Sequence, residues 1–332
     1  MQLQPKKETR NLNRICPLCF MTLDPAGWCL FCKCSVHTLS SPSLVLPMRI
    51  VLNNKYFIGK VLGEGGFGIT YKGLNLQTSR TVAIKEFFPK GYTMRGQGTR
   101  AITANEQNKT AFGHWLNAFI KEAKLLASIK HLRGVVRIMD FFATNGTAYI
   151  VTDFLDGDSL RTYMNHRGGK LPWQDAIAIL RPVLDSLSVL HEKGVIHNDI
   201  SPENIMMIKR NVVKLIDFGA ASFYKETVNK PYIILKPGFS PIECYRANTQ
   251  KGPFTDVYQV AATLYNMITG TLVPEAKKRD LEQLIPPNKF GIGLPPIIEH
   301  AIVKALSMKA NDRYQSVPAL TKILYNEMIP RF

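Results

Sequence analysis

Two hydrophobic periods run along the chain. After about Met48, apolar and polar residues alternate at a period of two, the mark of half-buried strands. "YFIGKVLG" and "ITYKG" flank a glycine turn, and "RTVAIKEF" follows the polar turn "NLQTS". A polar, glycine-containing segment over 89–113 precedes a predicted helix at about 115–130, where Leu116, Phe119, Ile120, Ala123, Leu126 and Ala127 keep a spacing of three to four. "TAYIVTDF" reads as a further strand. From about Ser159 the period is helical, clearest in "WQDAIAILRPVLDSLSVLHEKG" and "DVYQVAATLYNMITG". A strand-rich half followed by a helical half predicts an α+β, two-lobed domain, with lobes at 48–155 and 156–332.

The first 47 residues follow neither period. Residues 1–14 read as a polar, basic tail, 15–37 as a cysteine-rich miniature module, and 38–47 as a linker with Ser/Pro punctuation. Five of the six cysteines fall between positions 16 and 34, and without a secretion signal such clustering argues for metal rather than disulfides. Cys16-x-x-Cys19 and Cys29-x-x-Cys32 suit a tetrahedral, structural Zn²⁺ site that staples a module too small for its own core. Cys34 and His37 compete for the fourth ligand position. Cys244 reads as an ordinary buried thiol.

Composition sets limits on this plan. Of 332 residues, 45% are apolar and 20% charged, a globular composition with ample material for a core. The longest apolar runs are far short of the roughly 18–20 residues of a membrane span. The N-terminus has charge but no apolar signal core, so a cytoplasmic protein is expected, in a bacterial cytosol or in a host's. The net charge is +17, with basic residues concentrated in the first 35 positions and between Lys85 and Arg133. Such a surface can face nucleic acid, an anionic membrane or an acidic protein substrate. No stripe of aromatics interleaves with the cations, which argues against a sequence-reading nucleic-acid site.

"LGEGGFGITY" places Gly63, Gly65, Gly66 and Gly68 between two strands, where glycine lets the backbone approach a phosphate. It is not a Walker loop, since no Gly-Lys-Ser/Thr follows, nor a dinucleotide loop, since a strand comes next. In "TVAIKEF" the period of two sets Ala83 and Lys85 on one face and Val82 and Ile84 on the other. Glu122 lies on the apolar stripe of its helix, where a carboxylate needs a partner, and Lys85 is available. In "VIHNDISPENIMMIKRNVVKLIDFG", residues 195–219, two apolar runs flank "KRN" as a predicted hairpin. Its ends bring Asn204 and Asp217 together, an oxygen-donor pair suited to Mg²⁺, with Mn²⁺ the alternative. Asp199 stands on the approaching loop, placed to accept a proton from an attacking hydroxyl.

In that order, the glycine loop, the Val-Ala-Ile-Lys strand, the helix glutamate, His-x-Asp-x-x-x-x-Asn and Asp-Phe-Gly resemble a protein kinase. "KPGFSPIECY", "FTDVYQVAATLY" and "NDRYQSV" extend the likeness, with Glu243, Asp256 and Arg313 at the expected places, over about 55–328. The phrasing is most similar to eukaryotic-like Ser/Thr kinases of bacteria. The resemblance implies a bilobal kinase fold, ATP under the Gly63–Gly68 loop with Thr70 and Ala83 beside it, and Lys85, held by Glu122, on the phosphates. It implies Thr152 as gatekeeper before a hinge at Asp153–Leu155, Asp199 orienting the substrate hydroxyl, and Asn204 and Asp217 on Mg²⁺. Two positions depart from the pattern. Asn198 replaces the arginine that receives an activating phosphate, and Ser201 replaces the lysine near the γ-phosphate. Seven residues before Glu243, where the family has threonine, stands Lys236, and an exchange of roles with Ser201 follows as an expectation. Protein substrates are implied. A nucleotide-binding pseudokinase scaffold and a small-molecule kinase remain as alternatives.

Overall fold

The computed structural model describes residues 11–42, 44–96, 99–129, 132–209, 212–224, 235–246 and 249–326, without the side chain of Glu122. The chain divides into two compact units, 1–127 with 138–154, and 128–137 with 155–332. Among the described residues no helix is long and apolar enough to cross a membrane.

The first unit begins with the short pair β1 (Trp28–Cys29) and β2 (Cys34–Ser35). A six-stranded antiparallel sheet follows, built from β3 (Val51–Leu52), β4 (Tyr56–Glu64), β5 (Gly68–Asn75) and β6 (Thr81–Phe87). After the hairpin β7 (Thr93–Arg95) and β8 (Ile102–Ala104) and the helix α1 (Lys109–Ser128), the strands β9 (Ile138–Thr144) and β10 (Thr147–Asp153) complete it in the order β3-β4-β5-β6-β10-β9. The period of two is visible in burial. Ile69, Tyr71, Val82, Ile84, Tyr149 and Val151 are all fully buried on one face, with Val45, Leu46 and Leu52 packed among them. The other face carries half-buried Thr70, Lys72, Ala83, Lys85, Ile150 and Thr152.

Two expectations change here. The helix starts at Lys109, six residues before the predicted 115, because the apolar stripe runs back to Phe112, which packs on Phe87 at 5.7 Å. Within the polar 89–113 segment stands the β7–β8 hairpin. Arg95 of that hairpin is buried against Glu86, with Nη2 2.5 Å from Oε2, while Tyr71 and Tyr149 donate to the same carboxylate at 2.8 and 2.6 Å. A buried charge needs this company, because desolvation without partners costs several kcal/mol. Finally, the 38–47 stretch is not wholly a linker: Val45 and Leu46 sit in the sheet's core, and Leu46 N donates to the Tyr71 hydroxyl at 3.0 Å.

The cysteine module also packs on this unit. Ile15 joins Phe57 and Leu74 in one apolar cluster, with Phe20 edge-on to Phe57. Lys60 N donates to Pro17 O at 3.2 Å and Lys72 Nζ to Leu18 O at 3.0 Å. Gly59 permits the approach, since a Cβ there would lie 2.3 Å from Pro17 O.

The second unit holds β11 (Gly157–Ser159), α2 (Leu160–Asn165), α3 (Trp173–Glu192), β12 (Val195–Ile196), β13 (Ile205–Ile208), β14 (Val212–Leu215) and β15 (Ser222–Phe223). The helices α4 (Pro253–Thr269), α5 (Pro296–Ala305) and α6 (Val317–Asn326) complete it. The predicted hairpin is present as β13–β14, with Ile205 opposite Leu215. Residues 128–137 belong here because Gly134 N donates to Ser186 Oγ at 2.9 Å on α3 and Val135 bridges to Leu215. α4 is buried from Thr255 to Thr269, so every polar residue on it needs a partner inside the protein.

Candidate active site

In the first unit, register gathers the nucleotide candidates on the half-exposed face. Thr70 lies opposite Lys85 across β5–β6, and Ala83 lies opposite Thr152 across β6–β10. Asp153 closes β10, and Leu155 follows in the second unit. Gly63 and Gly66 have open space where a side chain would stand, and Gly65 has nothing nearer than 3.9 Å. Gly68 is different, because a Cβ would meet Glu86 O at 2.6 Å, so the strand approach requires glycine. The pairing of Lys85 with Glu122 lies outside the described residues.

In the second unit, the loop 197–201 is braced from α4. Asp256 accepts from His197 N and Asn198 N, both at 2.8 Å, and from His191 Nε2 at 2.8 Å. Gln259 accepts from Ile200 N at 3.0 Å and donates to Asn198 O at 2.7 Å. Thr263 donates to Ile200 O at 3.5 Å. These three lie at helical spacing on one stripe of α4, a signal legible in the sequence but not read from it beyond Asp256. Burial alone would raise the Asp256 carboxyl, but the His191 bond and the nearby His197 hold it below the usual carboxylate range.

Asp199 is held by Asn204, whose Nδ2 donates to the Asp199 carbonyl at 2.8 Å and to Oδ2 at 2.7 Å. The hairpin brings Asn204 and Asp217 to one end, with Ile216 N donating to Asn204 O at 2.8 Å. Asp217 has φ 62° and its Oδ1 accepts from Gly219 N at 3.0 Å. Phe218 packs edge-on to His197 at 4.6 Å. Lys236 reaches the same place from 35 residues away, with Nζ 2.6 Å from Ser201 Oγ and 3.5 Å from Asp199 Oδ1. Its backbone is set by a turn in which Lys236 N donates to Ser240 Oγ at 2.8 Å. Glu203, which sequence reasoning missed, lies 3.7 Å from Lys236 and accepts from Arg161 Nε at 2.8 Å. Burial raises the Asp199 carboxyl above its ordinary value, and the Lys236 ammonium opposes that rise most strongly.

Asn198 has a different occupation from a phosphate receptor. Its amide donates to Ala220 O at 3.1 Å and Ser222 Oγ at 2.8 Å, tying the loop to β15 without charge. Its φ of 64° is a left-handed value that asparagine tolerates better than most residues. Farther on, Arg313 clamps Glu243 with bonds of 2.7 and 3.0 Å, both groups buried, and Thr255 adds a third bond at 3.1 Å. Cys244 is buried, which pushes its thiol up to about 12.

At the other end of the chain, the sulfurs of Cys16, Cys19, Cys29 and Cys32 lie within 4.8 Å of one another. A tetrahedral ion with bonds of about 2.3 Å requires sulfur–sulfur edges of about 3.8 Å, so the set is compatible with zinc. Cys34 turns instead to Ser35 O at 3.4 Å, and neither it nor His37 belongs to the cluster. Burial raises the Cys32 thiol and the neighbouring thiols raise it further. At Cys29 burial acts upward too, but the backbone bonds from Cys32 and Phe31 and the bonds with the Cys19 and Cys32 thiols bring it to about 7.

Comparison with known proteins agrees with this geometry. A family model described as Protein kinase domain matches residues 56–290. A probable serine/threonine-protein kinase of Clostridium perfringens is 29% identical over 276 residues, 80% of this chain and 37% of that protein. The serine/threonine-protein kinase PknB of Mycolicibacterium smegmatis is 28% identical over 280 residues, 80% of this chain and 41% of that one. A solved structure of PpkA-294 in its apo form superposes with a TM-score of 0.72 at 33% identity, covering 85% of this chain and 100% of that chain. The chain thus spans about two-fifths of the length of these two curated relatives. The chain belongs to the protein kinase family and carries a serine/threonine-protein-kinase domain, strand-rich in its first lobe and helical in its second.

Proposed function

We propose that the protein is a working kinase that transfers the γ-phosphoryl group of ATP to serine or threonine hydroxyls of protein substrates, with Lys236 in the charged position that Ser201 vacates. The observation that carries this reading is the Lys236 ammonium at 2.6 Å from Ser201 Oγ and 3.5 Å from Asp199. A cation there stabilises charge that develops during transfer, which a scaffold that only binds nucleotide does not generate. The residues fit the groups they would hold. Open glycines at Gly63 and Gly66 suit phosphate, and Asn204 and Asp217 offer hard oxygen donors to Mg²⁺ or Mn²⁺. Mg²⁺-ATP, when bound, supplies the phosphoryl group and offsets its charge.

The chain's own residues do the rest. Asn204 fixes the carboxylate of Asp199 so that it can accept the hydroxyl proton, and Lys236 stabilises negative charge beside it. Lys85 would hold the α- and β-phosphates. Cys16, Cys19, Cys29 and Cys32 would hold a structural Zn²⁺. The charge of +17 favours acidic protein substrates, and the cytoplasm is the proposed compartment. The test is incubation with γ-labelled ATP and mapping of the label on the protein and on acidic protein substrates, with Asp199→Asn alongside. Label on Ser or Thr that vanishes in Asp199→Asn supports the reading. Binding of ATP without Asp199-dependent turnover makes the chain a pseudokinase, and label in a metabolite makes it a small-molecule kinase.

A further inference from the structure

Among the described residues, the cysteine module presents a surface that neither its fold nor the kinase site uses. Leu30 and Phe31, the two residues between Cys29 and Cys32, are 77% and 73% exposed, and Met21 and Trp28 are 49% and 41% exposed. The module's own core is Cys16, Leu23 and Cys29, with Leu18, Cys19, Cys32 and Val36 against it. Its docking onto the sheet uses Ile15 and Phe20. Nothing in packing therefore requires large apolar side chains at the tip, where polar residues would turn the chain equally well. Exposed apolar groups of this size mark an interaction site.

Charge says what kind. Arg14 and Lys33 of the module are both exposed, and Lys33 directly follows Cys32. Asp24 is the one carboxylate in residues 11–42, and its Oδ1 accepts from Ala26 N and Trp28 N at 3.0 and 2.8 Å. The partner is therefore anionic. The apolar area is on the order of a few hundred Å², whereas a standard protein interface needs about 800 Å² from each partner. A small exposed apolar tip followed at once by a lysine instead matches the interfacial region of an anionic bilayer, where apolar side chains enter the headgroup boundary and lysines meet the surface potential. We propose that the 29–32 knuckle is a membrane-surface anchor, with Leu30 and Phe31 inserting and Lys33 meeting acidic lipid headgroups. This assignment does not rest on the catalytic reading.

The test uses the full metal-loaded chain and sedimentation with vesicles of phosphatidylcholine, with or without about one-third phosphatidylserine. Binding to the anionic vesicles and little to the neutral ones is expected. Leu30→Ser with Phe31→Ser should weaken it by about tenfold or more, and Lys33→Glu by a few-fold. Metal content and phosphorylation of a soluble substrate should not change, which shows that the module remains folded. Absence of binding to anionic vesicles, or equal binding by the double variant, overturns the proposal. If the double variant instead abolishes a dimer of the parent in ultracentrifugation, the knuckle pairs with a second copy and the lipid assignment is wrong.

Discussion

Replacing Lys236 by alanine removes one cation from beside Asp199 while leaving the loop backbone intact, since the α4 brace does not involve residue 236. At 3.5 Å, a unit charge pair interacts by roughly 1 kcal/mol at the dielectric of water and roughly 5 at an effective value of about 20. Asp199 and Lys236 side chains are 16% and 29% exposed, so solvent screening places the pair between these limits. A transition-state contribution of about 2–4 kcal/mol then corresponds to a kcat lower by roughly 30- to 1,000-fold. Nucleotide affinity should change little, because the contact is to the catalytic loop. The pH profile gives an independent reading. Lys236 opposes the burial that raises the Asp199 carboxyl, so its loss lets that carboxyl rise further. In the proposed mechanism Asp199 acts as the carboxylate, so the acid limb of kcat should move to higher pH. The assay is steady-state phosphorylation of a fixed protein substrate across pH, with nucleotide binding measured separately. Ser201→Lys combined with Lys236→Thr should recover part of the rate. A Lys236→Ala enzyme with full kcat and an unmoved acid limb refutes the exchange of roles.

Three further outcomes are expected. Purified protein should carry one equivalent of zinc, and chelation or Cys29→Ser should lower the melting temperature of the first unit, because the module packs on β4 and β5; elemental analysis with calorimetry checks both, and a metal-free native protein counts against the site. Arg313→Leu leaves Glu243 buried without its partner and should cost about 3–5 kcal/mol in urea unfolding, so a loss below about 1 would mean that the clamp is not holding the unit. Thr227, between Asp217 and Glu243 and outside the described residues, should tolerate alanine with activity kept within about twofold, since neutral Asn198 offers no charge-assisted grip on a phosphate, whereas Ser240→Ala should weaken activity by releasing Lys236 N; quantitative phosphorylation assays decide, and a hundredfold loss at Thr227 that an acidic mimic restores would reverse the first part.

The sequence by itself determined whatever is encoded locally. Strand alternation, the glycine loop, the hairpin that ends in Asn204 and Asp217, and the paired Cys-x-x-Cys spacing are all properties of neighbouring residues, because backbone period and turn chemistry act over a few positions. It could also name Lys236 as displaced, since a motif position is counted along the chain. Only the tertiary structure decided which groups meet. The start of α1 moved to Lys109 because Phe112 found Phe87, and "LVLP" left the linker because Leu46 found the core. Glu86, next to Lys85 in the sequence, is fully buried and satisfied by Arg95, Tyr71 and Tyr149 from three other strands. Gln259 and Thr263 look like ordinary helix positions until the 197–200 loop lies against them. Periodicity reports that a position is buried, but the partner that makes a buried charge or amide affordable comes from distant chain, and packing alone selects it.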